Sequence, residues 1–127
     1  KVDEGAEARN LQLRQEVEEL RQQKDSAEKL KTRLTQVFKD KITEFRHTVQ
    51  QLTGFRVDLH KENEYVLVST YGQPGDTLVF QCSKDGAFQL LESEFATRLS
   101  AREMHYLQER HSIPACLSAV TLRLLDA

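Results

Sequence analysis

The sequence predicts an α+β protein: a long N-terminal coiled-coil helix followed by a small head, a four-stranded antiparallel meander packed by C-terminal helices. Three observations predict it. Residues 1–52 lack proline, hold Gly5 as their only glycine, and repeat apolar residues at three- and four-residue steps. Residues 53–91 switch to short runs of Val, Phe, Tyr and Leu separated by turn chemistry. Beyond them, helical spacing returns behind serines placed to cap helices. The expected organisation is a dimerisation stalk over 1–52 and a head over 53–127.

In the stalk, Leu13, Val17, Leu20, Ala27, Leu30, Leu34, Phe38, Ile42, Phe45, Val49 and Leu52 trace a narrow seam. Glu, Lys, Arg and Gln fill the other positions, all of them good helix formers. A helix of this length spans roughly 75 Å at about 1.5 Å per residue, too long to fold back on so small a head. Such a stripe buries itself against another helix, most simply a copy of itself. Lys24 and Lys31 occupy seam positions, where a lysine weakens the pair locally but can set register. The even four-residue steps Leu34–Phe38–Ile42 read as a stutter. A parallel homodimer follows, with its seam at Leu13, Val17, Leu20, Ala27, Leu34, Phe38, Ile42 and Phe45.

Leu52-Thr53-Gly54 ends the helix, Gly54 being free to take the left-handed conformation. Strands are predicted over 55–60, 64–71, 77–82 and 87–91. The separators are Lys61-Glu62-Asn63, Gly72-Gln73-Pro74-Gly75-Asp76 and Ser83-Lys84-Asp85-Gly86. Short connections make a meander the economical topology, with Val66, Val68, Leu78 and Phe80 as candidates for its apolar face. Helical spacing over 93–110, with Ser93 as cap, and a last helix opened by Ser112-Ile113-Pro114 cover that face.

Composition narrows the function classes. Residues 1–52 hold 11 Lys/Arg against 10 Asp/Glu, and residues 53–127 hold 7 against 10. The stalk is therefore a solvated helix with interleaved signs, and the whole lacks the basic excess of a nucleic-acid or membrane binder. No apolar run approaches the roughly 20 residues of a membrane span. The start at Lys1, without Met or a signal-peptide pattern, reads as a fragment of something longer, and secretion is not supported. Cys82 and Cys116 lack metal-ligand spacing and read as reduced core residues.

Catalytic motifs for nucleotide, hydrolase or zinc chemistry are absent from the sequence. His47, His60, His105 and His111 are scattered, and neither a metal nor another cofactor is expected. A small sheet with flanking helices is also the plan of the ubiquitin-conjugating fold, which would need a nucleophilic cysteine. Neither Cys82 nor Cys116 has a neighbouring His or cationic cluster to activate it, so no enzyme activity is expected. The run Lys29-Leu30-Lys31-Thr32-Arg33, with Lys39 and Lys41 beyond it, has two readings. It is either a solvated flank of the coil or an anion site, duplicated in a dimer, where Arg grips phosphate.

Several segments in order carry a resemblance: Arg33-Leu34, Val37-Phe38, Lys41-Ile42-Thr43-Glu44-Phe45-Arg46, Leu52-Thr53-Gly54-Phe55 and Glu62-Asn63-Glu64-Tyr65. They continue with Pro74-Gly75-Asp76-Thr77-Leu78-Val79-Phe80, Gln89-Leu90-Leu91-Glu92-Ser93-Glu94-Phe95, and Ser112-Ile113-Pro114-Ala115 with Leu117-Ser118 and Thr121-Leu122. From about Ala27 to Leu125 the chain resembles the C-terminal region of the spindle assembly checkpoint family "mitotic arrest deficient one". The resemblance implies a scaffold without covalent chemistry, a homodimer of parallel helices ending in paired RWD-like heads. It implies docking at unattached kinetochores through a phosphorylated segment of a checkpoint kinase of the "budding uninhibited by benzimidazoles one" type. It further implies engagement of the anaphase-promoting complex activator and presentation of the HORMA protein "mitotic arrest deficient two", bound through an upstream region, so that the mitotic checkpoint complex assembles. The implied location is the nucleus, with the nuclear envelope in interphase and the kinetochore in mitosis.

The family's receptor motif, Arg-Leu-Lys, falls on Arg33-Leu34-Thr35. The resemblance makes Arg33 the phosphate ligand and Leu34 the seam residue; Thr35 departs from the family's lysine, with Lys31 or Lys39 near enough in sequence to compensate. The chain ends at Asp126-Ala127, without the Ser/Thr-containing tail of animal members, so phosphoregulation there is not carried over. The alternative reading is a purely structural dimerisation and kinetochore-docking module with no phosphopeptide recognition.

Overall fold

The computed structural model describes residues 3–127, so the first two residues of the expected stalk lie outside the described residues. The chain divides into two compact units, residues 1–42 and 43–127. In the first, α1 (Glu4–Thr53) runs from its start to Ile42. Asp3 caps it by accepting the Gly5 amide at 3.0 Å, and Glu4 and Glu7 complement the positive end of the helix dipole. Pairs such as Lys24–Glu28 lie along its exposed surface at 3.9 Å and contribute little. No described residue of α1 is buried, and its apolar seam is open to solvent: Leu34 is 47% and Phe38 66% exposed.

The second unit holds the last turns of α1, then β1 (Phe55–Lys61), β2 (Glu64–Ser69), β3 (Thr77–Cys82), β4 (Phe88–Leu90), α2 (Glu94–Thr97), α3 (Ala101–Gln108) and α4 (Ile113–Leu125). The strands form one antiparallel sheet in chain order, the meander that the short connections predict. Gly54 makes the corner between α1 and β1 at φ +78°, its amide bound to Gln50 O at 2.8 Å and its carbonyl to the Thr70 amide at 2.8 Å. A Cβ there would stand 3.1 Å from the Tyr71 ring. Gly54→Ala is expected to destabilise the head by about 1–2 kcal/mol, since it combines left-handed strain with that contact; a shift in the thermal unfolding midpoint measures it.

Cross-strand register corrects half of the predicted apolar face. Leu67 pairs with Leu78 and Tyr65 with Phe80, so these residues share the face that Phe55 and Val57 extend. Val66 and Val68 pair with Val79 and Thr77 on the opposite face, where they are half-buried. The error is one residue of phase, which exchanges the two faces of a strand. The core is Phe55, Leu67, Leu78, Phe80, Phe95 and Val120, with Leu90, Leu99, Ile113 and Leu117 packed against it.

The helix expected over 93–110 is two helices. Ser93 caps α2, accepting the Ala96 amide while donating its hydroxyl to Thr77 O at 3.0 Å, which ties α2 to β3. The chain then breaks at Arg98–Ser100 because Ser100 starts α3 with a capping box against Glu103. Ser112 caps α4 and Pro114 sits in its first turn, as the sequence predicts. Arg98 holds Asp76 at 2.7 Å, fastening α2 to the turn before β3. The Gln73 amide and Arg98 together outweigh burial and keep the Asp76 carboxyl below the usual range.

Candidate functional site

Arg33, Leu34, Thr35, Lys31 and Lys39 all lie on α1, and all are exposed. A helix turns by about 100° per residue, so positions are fixed relative to Leu34. Thr35 and Lys39 fall on one flank of the seam, next to the seam position Lys31, and the three share a shallow surface with Glu28, Thr32 and Gln36. Arg33 falls on the other flank. One helix therefore does not bring Arg33 together with either lysine. Arg33 makes no hydrogen bond or ion pair with the described residues, whereas Lys39 is engaged within the chain. A guanidinium left in solvent keeps all five N–H donors available to an oxyanion.

The head contains a second polar cluster that the sequence reading missed. Glu103 is 1% exposed, yet its carboxylate accepts four donors. These are the Ser100 amide at 3.2 Å, the Ser100 hydroxyl at 2.7 Å, and Arg123 Nε and Nη2 at 2.6 and 3.0 Å. Burial opposes its charge, but the Arg123 and Ser100 hydrogen bonds prevail and hold its pKa below the ordinary value. The Ser100-x-x-Glu103 spacing was a legible capping signal. The partner Arg123, twenty residues on, had no local signature.

Cys116 is buried at 1% exposure on α4. Burial and the nearby Glu103 charge push its thiol up to about 11, the opposite of what a nucleophilic cysteine requires. Cys82 is half-buried and directs its thiol to Ser83 O at 3.5 Å. Among the described residues no His/Cys/Asp/Glu group is placed to hold a metal ion, and no helix is long and apolar enough to cross a membrane.

Similarity to known proteins points one way. The family model described as "Mitotic checkpoint protein" matches residues 3–127. The human "Mitotic spindle assembly checkpoint protein MAD1" is 42% identical over 128 residues, covering 98% of this chain and 18% of the relative. The Schizosaccharomyces pombe "Spindle assembly checkpoint component mad1" is 30% identical over 121 residues, covering 95% of this chain and 16% of the relative. The Yarrowia lipolytica component named MAD1 is 27% identical over 115 residues, covering 87% and 16%. The chain thus spans less than a fifth of the length of these relatives. With the family model matched over residues 3–127, nearly its whole length, the chain belongs to the mitotic checkpoint protein family.

Proposed function

We propose that this chain is the dimerisation and kinetochore-docking region of a spindle assembly checkpoint scaffold, reading a phosphorylated segment of a checkpoint kinase of the "budding uninhibited by benzimidazoles one" type at Arg33. The observation that carries the reading is the uncovered apolar seam of α1 with Arg33 unpaired beside it. In a parallel pair the seam is buried by its twin, and each Arg33 lies on the same side of the dimer as Thr35 and Lys39 of the second copy. Two equivalent composite anion sites result. Lys31 or Lys39 of the second copy then supplies, across the dimer, the positive charge that Thr35 lacks.

The same reading places the dimer in the nucleus, at the nuclear envelope in interphase and at kinetochores in mitosis. There it promotes assembly of the mitotic checkpoint complex, alongside the anaphase-promoting complex activator and the HORMA protein held by a region outside this chain. Its contribution is positional, with no covalent step.

Calorimetric titration with the kinase-derived peptide, phosphorylated and unphosphorylated, tests the docking site. Only the phosphorylated peptide should bind, more weakly as salt rises. Arg33→Ala removes a charge-assisted contact worth about 1.5–3 kcal/mol, so affinity should fall roughly 10–150-fold. Unchanged binding in that variant would remove Arg33 from the site. Flat traces with both peptides would favour the second reading, a purely structural module with its contacts on the head; Thr35, in the place of the family's lysine, is the observation that supports it.

A further inference from the structure

We propose that the outer groove between α3 and α4 docks an acidic peptide segment of another protein, held by Arg102 and Arg110 and anchored by an apolar side chain on Leu122. An open groove of about 470 Å³ runs between these helices, lined by Arg102, Tyr106, Ala115, Ala119, Leu122 and Arg123 among others. It shares Tyr106 and Ala115 with a second cavity of about 540 Å³, to which His105, Arg110 and Ser112 contribute, so the two form one continuous surface. Leu122, 60% exposed, gives it an apolar centre.

The charge of this surface selects the occupant. Two carboxylates line it, Glu103 and Asp126. Glu103 is neutralised: its oxygens are filled by Ser100 and Arg123, leaving nothing to offer a cationic ligand. Asp126 stands at one end, after the last turn of α4. Arg102, by contrast, packs 5.9 Å over the Tyr106 ring without a carboxylate partner, and Arg110 has none among the described residues. Glu109 lines neither cavity. The head holds 7 basic against 10 acidic residues, so this basic wall is a local reversal of its overall charge. Complementarity therefore calls for carboxylates, flanking one apolar residue that reaches Leu122.

The test is fluorescence anisotropy of the whole chain with a labelled peptide of Glu and Ala carrying a single Leu, beside its twin with every Glu replaced by Lys. The acidic probe should bind saturably and weaken with salt, and the lysine twin should not bind. Arg102→Ala and Arg110→Ala should each weaken binding about tenfold, and Leu122→Asp should abolish it. All three side chains are exposed, so thermal unfolding should confirm that each variant is folded. Failure of the acidic probe to saturate, equal binding of the lysine twin, or binding that survives the Arg102→Ala/Arg110→Ala pair overturns the proposal. So does loss of binding on Arg33→Ala, which would put the probe on the stalk.

Discussion

Arg123→Met is expected to destabilise the head by about 3 kcal/mol at neutral pH, because it leaves the Glu103 carboxylate buried without its counter-ion. The figure sits at the low end for broken buried pairs because the Arg123 side chain is 41% exposed and Ser100 still donates two hydrogen bonds. For a domain of this size that is a fall in Tm of roughly 15 °C. The pH dependence separates this cause from lost packing. In the native chain the folded pKa of Glu103 lies below its ordinary 4.5, so the pair's stabilisation is complete above about 4.5 and is lost as pH falls through the lower folded value. Without Arg123, burial dominates and raises that pKa. The variant's deficit should then shrink as acid neutralises Glu103. A deficit constant from pH 7 to pH 4 would show that the pair's charge is not the cause. Glu103→Leu combined with Arg123→Met removes both charges and should recover most of the loss, apart from the capping box.

On the proposed parallel pairing of α1, Leu34→Asp combined with Ile42→Asp is expected to leave the protein monomeric at micromolar concentration, where the native chain is a dimer. Fully burying a Leu or Ile side chain contributes about 1.5–3 kcal/mol; Leu34 and Ile42 are 47% and 53% exposed on the lone helix, so each of the four in a dimer gains roughly half of that. Their loss is then about 3–6 kcal/mol before the cost of desolvating four carboxylates, a weakening of at least about a hundredfold. Sedimentation equilibrium measures the mass directly. Far-UV helicity should fall too, because a long polar helix depends on its partner for most of its stability. A mass unchanged by both substitutions would locate the dimer contact away from the seam.

What was legible in the sequence was whatever had a local signature. The long helix, the left-handed Gly54 and the caps at Ser93 and Ser112 each depend on neighbours within about four residues, and the chain-order sheet follows from the short connections between its strands. The face of β2 was lost to phase: Tyr65-Val66-Leu67-Val68 is apolar at every position, so alternation could not tell one side from the other. The break before α3 was missed because apolar spacing from Phe95 to Leu107 is nearly continuous across it, although Ser100 and Glu103 marked it. Arg123 meeting Glu103 is a tertiary event, as is Asp76 meeting Arg98, and neither has a sequence pattern. The candidate stalk residues could be named through a family resemblance. Their division between two flanks follows from helical geometry alone.

The chain-order sheet also has a kinetic consequence. Each strand pairs only with its neighbour along the chain, and α3 packs on the helix that follows it. Most closures are therefore short, which favours folding in about milliseconds for a mixed domain. That step is unimolecular and indifferent to dilution. In the proposed dimer, pairing of two stalks is a collision, whose rate falls as the protein is diluted. At nanomolar protein the head should thus be structured well before the stalks find each other, so stopped-flow dilution should resolve a concentration-independent fast phase followed by a second-order one.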